Sequence, residues 1–428
     1  MQRIPHARVL ALVAVIVLVA SVLIALNSTS GGLAQPTDSP VTSSVSTMGN
    51  YPFFPLPGSP NATTVESTSS IASQASSSQS TSITTTFPPE VDTGLALPLF
   101  SQYSQSQLNS INTIIKEKLL YPWVPMIVVL NPSCLPGNFS NANIKSEVKR
   151  MQAVQIGVFE YIPTNWATTS ISTIEAEIYK CDSFYQPSGI LLDQIPNWEY
   201  NGPHGQPYYS GQNGTFIPAY LSNITSYAKS LGLIVFGEAG TDVPKNFIGT
   251  VDVLGIFENT FLPPFFSSTP DFMALSGNYQ WHLNYSKNIF FFTSYNITSF
   301  NPYYVVSASD YVGYLYLTNG KSPQPYGSLP PYFDQLVSTV ASIVPITVQA
   351  ELPNGVLTGL TVTVTQPDGT SSKGFTPFMF NVLSNTTVSI SADPTDGTHV
   401  FSHWSNGATN PATQMSAGEA ATLVAYYS

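Results

Sequence analysis

Between Leu99 and Ser342 short apolar runs alternate with longer stretches whose apolar residues recur at helical spacing. That is the pattern of strands and helices in a parallel α/β domain. The strand-like runs are Val124 to Leu130, Ile156 to Ile162, Gly189 to Ile195, Leu233 to Ala239, Val251 to Glu258, Asn288 to Thr293 and Tyr311 to Thr318, with an eighth expected near Tyr303 to Ser307. Helical spacing marks Ile144 to Gln155, Ser170 to Tyr185, Ala219 to Leu231 and Tyr332 to Ser342. Seven visible strands, reading as buried on both faces within about 245 residues, suit a (β/α)8 TIM-type barrel better than an open sheet.

Beyond Pro345 the period shortens to two, as in L-T-V-T-V at Leu360 to Val364 and T-V-S-I-S-A at Thr387 to Ala392, with a P-D-G turn at Pro367 to Gly369. Residues 345–428 are therefore expected to form a small C-terminal all-β Ig-like sandwich behind a barrel of residues 93–344. The closing F-S-H-W-S-N-G at Phe401 to Gly407 resembles Ig-like repeats appended to secreted surface proteins. Trp404 is expected in its core rather than on a sugar-binding face.

At the other end, Val9 to Leu26 is apolar except for Ser21, with Arg3 and Arg8 before it and no basic residue soon after. A run of that length spans a bilayer, so residues 1–26 are expected to be a membrane anchor that leaves the rest extracytoplasmic. Cleavage near Ala34 and secretion is the alternative. Residues 27–92 are Ser/Thr-rich and too poor in apolar positions to fold, and predict a disordered stalk. Sequons at Asn27, Asn61, Asn138, Asn213, Asn223, Asn284, Asn296 and Asn385 agree with an exported glycoprotein.

Composition narrows the partners. Only 9% of the 428 residues are charged and the net charge is -11, so nucleic acid finds no basic footprint and neutral polar or basic ligands fit better. No G-x-G-x-x-G, H-E-x-x-H or G-x-S-x-G occurs, and His399 and His403 lie in a β-patterned stretch where their spacing makes no helical face. No metal or other cofactor is expected. Cys134 falls in a loop after a strand and Cys181 late in a helix that runs to the opposite end, so two separate thiols are expected rather than a bridge.

Glu160, Asp193, Glu238 and Glu258 each stand at or near the carboxyl end of a different strand, where α/β barrels place their chemistry. Two such acids can flank a glycosidic bond, one protonating the leaving oxygen and the other stabilising or attacking the sugar centre. Otherwise each acid caps a helix or satisfies backbone N–H groups. Trp166, Trp198, Tyr200, Tyr208, Tyr209, Tyr279 and Trp281 follow the same strand ends and are candidate stacking surfaces for sugars. His204 and His282 are candidate contacts, or else exposed loop histidines.

Several segments match, in order, a known family: L-N-P-S-C-L-P-G at Leu130 to Gly137, E-Y-I-P-T-N-W at Glu160 to Trp166, and F-Y-Q-P-S-G-I-L-L-D at Phe184 to Asp193. Ala239 to Thr241, Phe257 with Glu258, and P-Y-G-S-L-P-P-Y-F at Pro325 to Phe333 complete the set. In these the chain resembles the spherulation-specific family four (spherulin-four-like) proteins, which include glycoside hydrolases acting on galactosaminogalactan-type polysaccharide. The resemblance implies a barrel that hydrolyses an α-linked amino-sugar polymer, with Asp193 and Glu258 as functional acids. Where the family usually has Glu this chain has Gln194, which can hydrogen-bond a sugar but cannot exchange a proton at neutral pH. Glu238 stands where relatives look more like Asn, so either a relocated acid compensates or the site binds glycan without cleaving it. Catalysis is thus expected of Asp193, Glu258 and Glu238, and substrate contact of Gln194, Glu160, Trp166, Trp198, Tyr209, Trp281 and Asn131.

Overall fold

The computed structural model describes residues 93–100, 104–131, 140–196, 216–243, 245–263, 282, 285–418 and 421–428, with Phe216 and Ile217 described by backbone only. The expected anchor and stalk lie outside these residues. Among the described residues no helix is long and apolar enough to cross a membrane.

Eight parallel strands close into a barrel in sequence order: β1 (Gly94–Leu99), β2 (Met126–Leu130), β3 (Gly157–Pro163), β4 (Gly189–Asp193), β5 (Ile234–Glu238), β6 (Val253–Asn259), β7 (Phe290–Ser294) and β8 (Tyr314–Leu317). Helices α1 (Gln105–Leu120), α2 (Ala142–Gln152), α3 (Ile171–Tyr185), α4 (Phe216–Ser230), α5 (Pro302–Ala308) and α6 (Phe333–Ala341) alternate with them. The (β/α)8 expectation holds, but the strand count shifts by one. Asp193 ends the fourth strand, not the third, because β1 precedes every run read as a strand. Pro98 hides it. Along β1, Gly94 N–H donates toward β8 and Leu95 N–H toward β2, so the Pro98 position faces β8, where pairing has already ended after Leu95 and no donor is missed. The eighth strand expected near Tyr303 to Ser307 is instead α5. Asn301 caps it, its side chain accepting from the N–H groups of Tyr303 at 3.0 Å and Tyr304 at 3.4 Å, and Pro302 opens its first turn.

Two apolar layers follow from strand alternation. Ala96, Ile127, Val129, Phe159, Phe236 and Phe291 fill the barrel interior, while Leu97, Val128, Val158, Ile190, Val235 and Phe292 face the helices. Phe159 and Phe236 meet edge to face at 5.0 Å. A Cβ at Gly189 would overlap the Phe159 ring and the Ile234 carbonyl, so only glycine fits beneath that pair.

Cys181 is disulfide-bonded, which overturns the expectation of two separate thiols, since the chain has only two cysteines. Cys134 itself lies outside the described residues. The geometric objection fails because Asn141, at the head of α2, donates its N–H to the Tyr185 hydroxyl in the last turn of α3 at 3.0 Å. The chain after β2 therefore returns to the carboxyl half of α3 rather than staying at the opposite end.

The C-terminal region has two sheets. One holds β9 (Ile343–Leu352), β10 (Gly355–Leu357), β13 (Phe378–Leu383), β15 (Phe401–Trp404) and β17 (Ala421–Tyr427); the other holds β11 (Thr361–Thr365), β12 (Ser371–Phe375), β14 (Thr386–Ala392) and β16 (Ala412–Ala417). They share one core. Trp404 is at its centre with 0% exposure, its indole N–H donating to the Asn410 carbonyl at 2.9 Å, so it is a packing residue as expected.

This region is tied to the barrel through the turn before β8. Asp310 accepts the Asn381 N–H at 2.8 Å and the Ser372 hydroxyl at 3.3 Å, and the Asn381 side chain donates to Ser309 Oγ at 2.8 Å. Burial pushes Asp310 up to about 7, against the opposing pull of Lys287 and these hydrogen bonds. The fold thus holds a proton that the unfolded chain releases in the ordinary carboxylate range, so stability falls as pH rises from that range to about 7. Asp310→Asn is expected to flatten this part of the profile, read as thermal unfolding midpoints from about pH 4 to about pH 8. An unchanged slope would place its source elsewhere.

Candidate active site

The inward face of each strand is set by counting from the interior layer. Phe159, Leu191 and Phe236 point inward, so two residues on, Tyr161, Asp193 and Glu238 do as well. Strand β6 breaks the count. Val253 lies in the interior, and strict alternation would put Gly255 and Phe257 there too, leaving Glu258 among the helices. A bulge between Gly255 and Phe257 shifts the register, pairing Phe257 with Phe292 and Glu258 with Thr293. Phe257 joins the outer layer, and Glu258 is aimed into the barrel mouth.

Each of the three acids is held differently. Asp193 accepts the Tyr161 phenol at 2.5 Å and the backbone N–H of Gln194. Glu258 accepts the Tyr326 phenol at 2.5 Å, and that phenol oxygen also lies 3.2 Å from Thr293 Oγ1. Glu238 is 5% exposed; its Oε1 accepts the Gly240 N–H at 2.8 Å, and its Oε2 has no partner. That carboxyl group lies against the Cα of Gly255, where a Cβ would collide with it.

Burial raises the proton affinity of all three. For Asp193 the hydrogen bonds from Tyr161 and Gln194 oppose the shift. Glu258 is raised by burial against the Tyr326 hydrogen bond, and further by the charge of Asp193. Glu238 is raised well above the ordinary range by burial, then by Glu258 and more weakly by Asp193. The charge of Asp193 thus reaches both glutamates and that of Glu258 reaches Glu238, so the protonation of one bears on the others.

Other expected site residues are dispersed. Asn131 is exposed immediately after β2, at a position of inward parity. Trp166 has a left-handed backbone, φ 55, between Asn165 and Ala167 in the same region. Its N–H donates to the Gln194 carbonyl at 2.7 Å, and the Thr164 hydroxyl donates to the same oxygen at 2.7 Å. Gln194 is left-handed too, φ 53, and its side-chain Oε1 is buried without a partner. Glu160 is not at the mouth. It pairs with Leu130 and Ile190, both outward-facing, so it lies in the layer between strands and helices. There it is 0% exposed, neither carboxyl oxygen has a partner, and burial raises it well above its ordinary value. His282 is buried, not an exposed loop histidine; its Nε2 lies 2.9 Å from Asp242 Oδ1 and its ring 5.1 Å from that of Phe290. Trp198, Tyr209, Trp281 and His204 lie outside the described residues.

The tyrosines that grip the acids were not among the expected site residues. Tyr161 stands one residue after Glu160, and Tyr326 lies within P-Y-G-S-L-P-P-Y-F. Phe100 joins them, its ring 4.8 Å from Tyr161 and 5.6 Å from Tyr326. Among the described residues no cluster of His, Cys, Asp or Glu is arranged to hold a metal ion.

Fold and site together define a (β/α)8 barrel whose mouth carries three carboxyls of raised proton affinity beside aromatic rings, an arrangement suited to acid-base chemistry or to binding of a polar ring. The chain belongs to spherulation-specific family 4, whose model matches residues 94–340, more than half of it. Among solved structures, Aspergillus clavatus Sph3 in complex with GalNAc is similar at 16% identity and TM-score 0.47, over 58% of this chain and 98% of that one. A chitinase from Chromobacterium violaceum matches at 10% identity and TM-score 0.38, over 58% and 98%. A GH18 chitinase from Pseudoalteromonas aurantia matches at 12% identity and TM-score 0.35, over 58% and 100%. No curated protein matches the chain.

Proposed function

We propose that the protein is an extracytoplasmic glycoside hydrolase acting on an amino-sugar-containing, galactosaminogalactan-like polysaccharide, held at the cell surface by its N-terminal apolar segment and carrying a C-terminal Ig-like domain. The observation that carries this reading is the pairing of Asp193 and Glu258 on the inward face of the mouth, each gripped by one tyrosine phenol at 2.5 Å. In such a pair one carboxyl keeps its proton for the leaving oxygen, while the other, ionised, serves as base or nucleophile on the far side of the sugar. Raised proton affinity suits the first role and the tyrosine hydrogen bond the second. Gln194 cannot move a proton, and Glu238 on the neighbouring strand is the acid placed to replace it.

Gln194 also supports a second reading, a glycan-binding surface protein that keeps the barrel without cleavage. Incubating the protein with amino-sugar polymers and chromatographing the products separates the two. Released oligosaccharides are expected; retention of polymer without release would favour the binder.

A further inference from the structure

Two residues beyond the end of β6, the ring of Phe261 stands 50% exposed. Among the described residues it is the one large apolar side chain so exposed at the carboxyl rim of the barrel; the others lie on α1 and α3 or in the C-terminal region. A loose loop would fold such a ring away from water. This segment is held instead. Ser294, itself 0% exposed, donates its hydroxyl to the Phe261 carbonyl at 3.0 Å, the Tyr304 phenol donates to the Pro263 carbonyl at 2.7 Å, and the Tyr295 N–H donates to the Asn259 carbonyl at 2.9 Å. Leu262 packs against the core between strands and helices. Among the described residues the Phe261 ring meets one other, that of Phe257, edge to face at 5.3 Å, which takes up at most one of its faces.

The position continues the aromatic lining of the mouth. Tyr295, which follows β7, has its ring 6.4 Å from that of Tyr326, the residue that grips Glu258. The bonds from Ser294 and Tyr295 hold the ends of β6 and β7 side by side, so the lining extends from Glu258 past Tyr295 to Phe261. Residues 259–263 and 294–300 contain no charged side chain, and those exposed there besides Phe261 are Thr260, Asn296, Thr298 and Ser299. A protein or membrane contact would call for further apolar side chains around the ring. An open ring among hydroxyls and amides suits a neutral sugar, which presents C–H groups on its face and hydroxyls at its edge.

We propose that Phe261, with Tyr295 beside it, forms an outer subsite that stacks a neutral sugar ring of the polymer, outside the unit flanked by Asp193 and Glu258. The inference rests on the glycan reading above and extends it. Its physical gain is preorganisation. The backbone that carries the ring is already fixed, so little ordering cost is set against the stacking, which then shows as affinity. A contact so far from the reacting bond strengthens ground state and transition state alike, and so acts on KM rather than on the rate of cleavage.

The test is calorimetry on the full chain with size-fractionated oligosaccharides of an N-acetylated galactosamine polymer, with steady-state kinetics on the same fractions. Wild-type affinity is expected to step up once the oligosaccharide is long enough to reach the rim. Phe261→Ala should shrink that step by about five- to tenfold. Phe261→Leu, which keeps an apolar side chain against Phe257 but no flat ring, should lose most of it as well, and Phe261→Trp should keep it. In kinetics the loss should fall on KM rather than on kcat. A wild type without the step, or alanine and leucine variants that keep it or that lose affinity equally at every length, would overturn the proposal. Cleavage with the same KM in wild type and Phe261→Ala at every length would sink this inference and leave the hydrolase reading standing. A step lost in Phe261→Ala, with no fraction cleaved by the wild type, would do the reverse.

Discussion

Asp193→Asn is expected to lower turnover on the cleaved polymer by about a thousandfold, within the range that loss of a general acid, base or nucleophile produces. The substitution is nearly isosteric, and its amide oxygen can still accept the Tyr161 phenol that lies 2.5 Å from the carboxylate, so the fold should be preserved. Glu258→Gln should behave alike, because Tyr326 holds that carboxyl in the same manner. The wild-type pH profile supplies an independent check. All three acids are raised by burial, so activity should fall on acidification at a higher pH than an ordinary carboxylate would give, as the group that must be ionised takes up its proton. Steady-state rates across pH, with circular dichroism of each variant, measure both. Full activity in folded Asp193→Asn would remove Asp193 from the chemistry.

Gly255→Ala is the second large effect. The added methyl would meet the Glu238 carboxyl, which is buried and fixed by the Gly240 N–H. Overpacking of this kind costs about 1–3 kcal/mol. The activity loss should be larger in proportion, because relief requires movement of β6 at the bulge that aims Glu258. A shift of about 1 Å in a catalytic group can lower the rate by about a hundredfold. Melting temperature and turnover of the single variant, and of Gly255→Ala combined with Glu238→Ala, give the coupling directly. If the methyl and the carboxyl do compete for one space, the double variant regains stability relative to the sum of the singles. Additive effects would show that the strand accommodates the methyl.

Much of the barrel was legible because its strands are short, continuously apolar and separated by helices of ordinary spacing. What escaped were departures from that rule. Pro98 concealed β1, although the proline falls where the ladder has no partner to lose. Tyr303 to Ser307 is apolar and rich in β-branched residues, yet the Asn301 cap and Pro302 make it a helix. At the site, Asp193 and Glu238 could be found by counting along their strands, and Glu160 was misplaced because it lies in the middle of β3 with the opposite parity. Glu258 reaches the mouth only through a register shift, which alternation in the sequence does not betray. Tyr326 was beyond local reasoning, being 68 positions from the carboxyl it holds.

The chain enters the barrel at Gly94, the start of β1, and leaves it at Ala341, the end of the helix after β8. In a barrel of parallel strands both points lie at the amino-terminal face, and the Asp310 tie to the C-terminal sheets lies in a turn leading into β8, at that face as well. Asp193, Glu238 and Glu258 occupy the opposite rim. Entry, exit and the Asp310 tie therefore crowd one pole of the barrel, and the three acids stand at the other, so a change in how the barrel is attached need not disturb the strand ends that carry them.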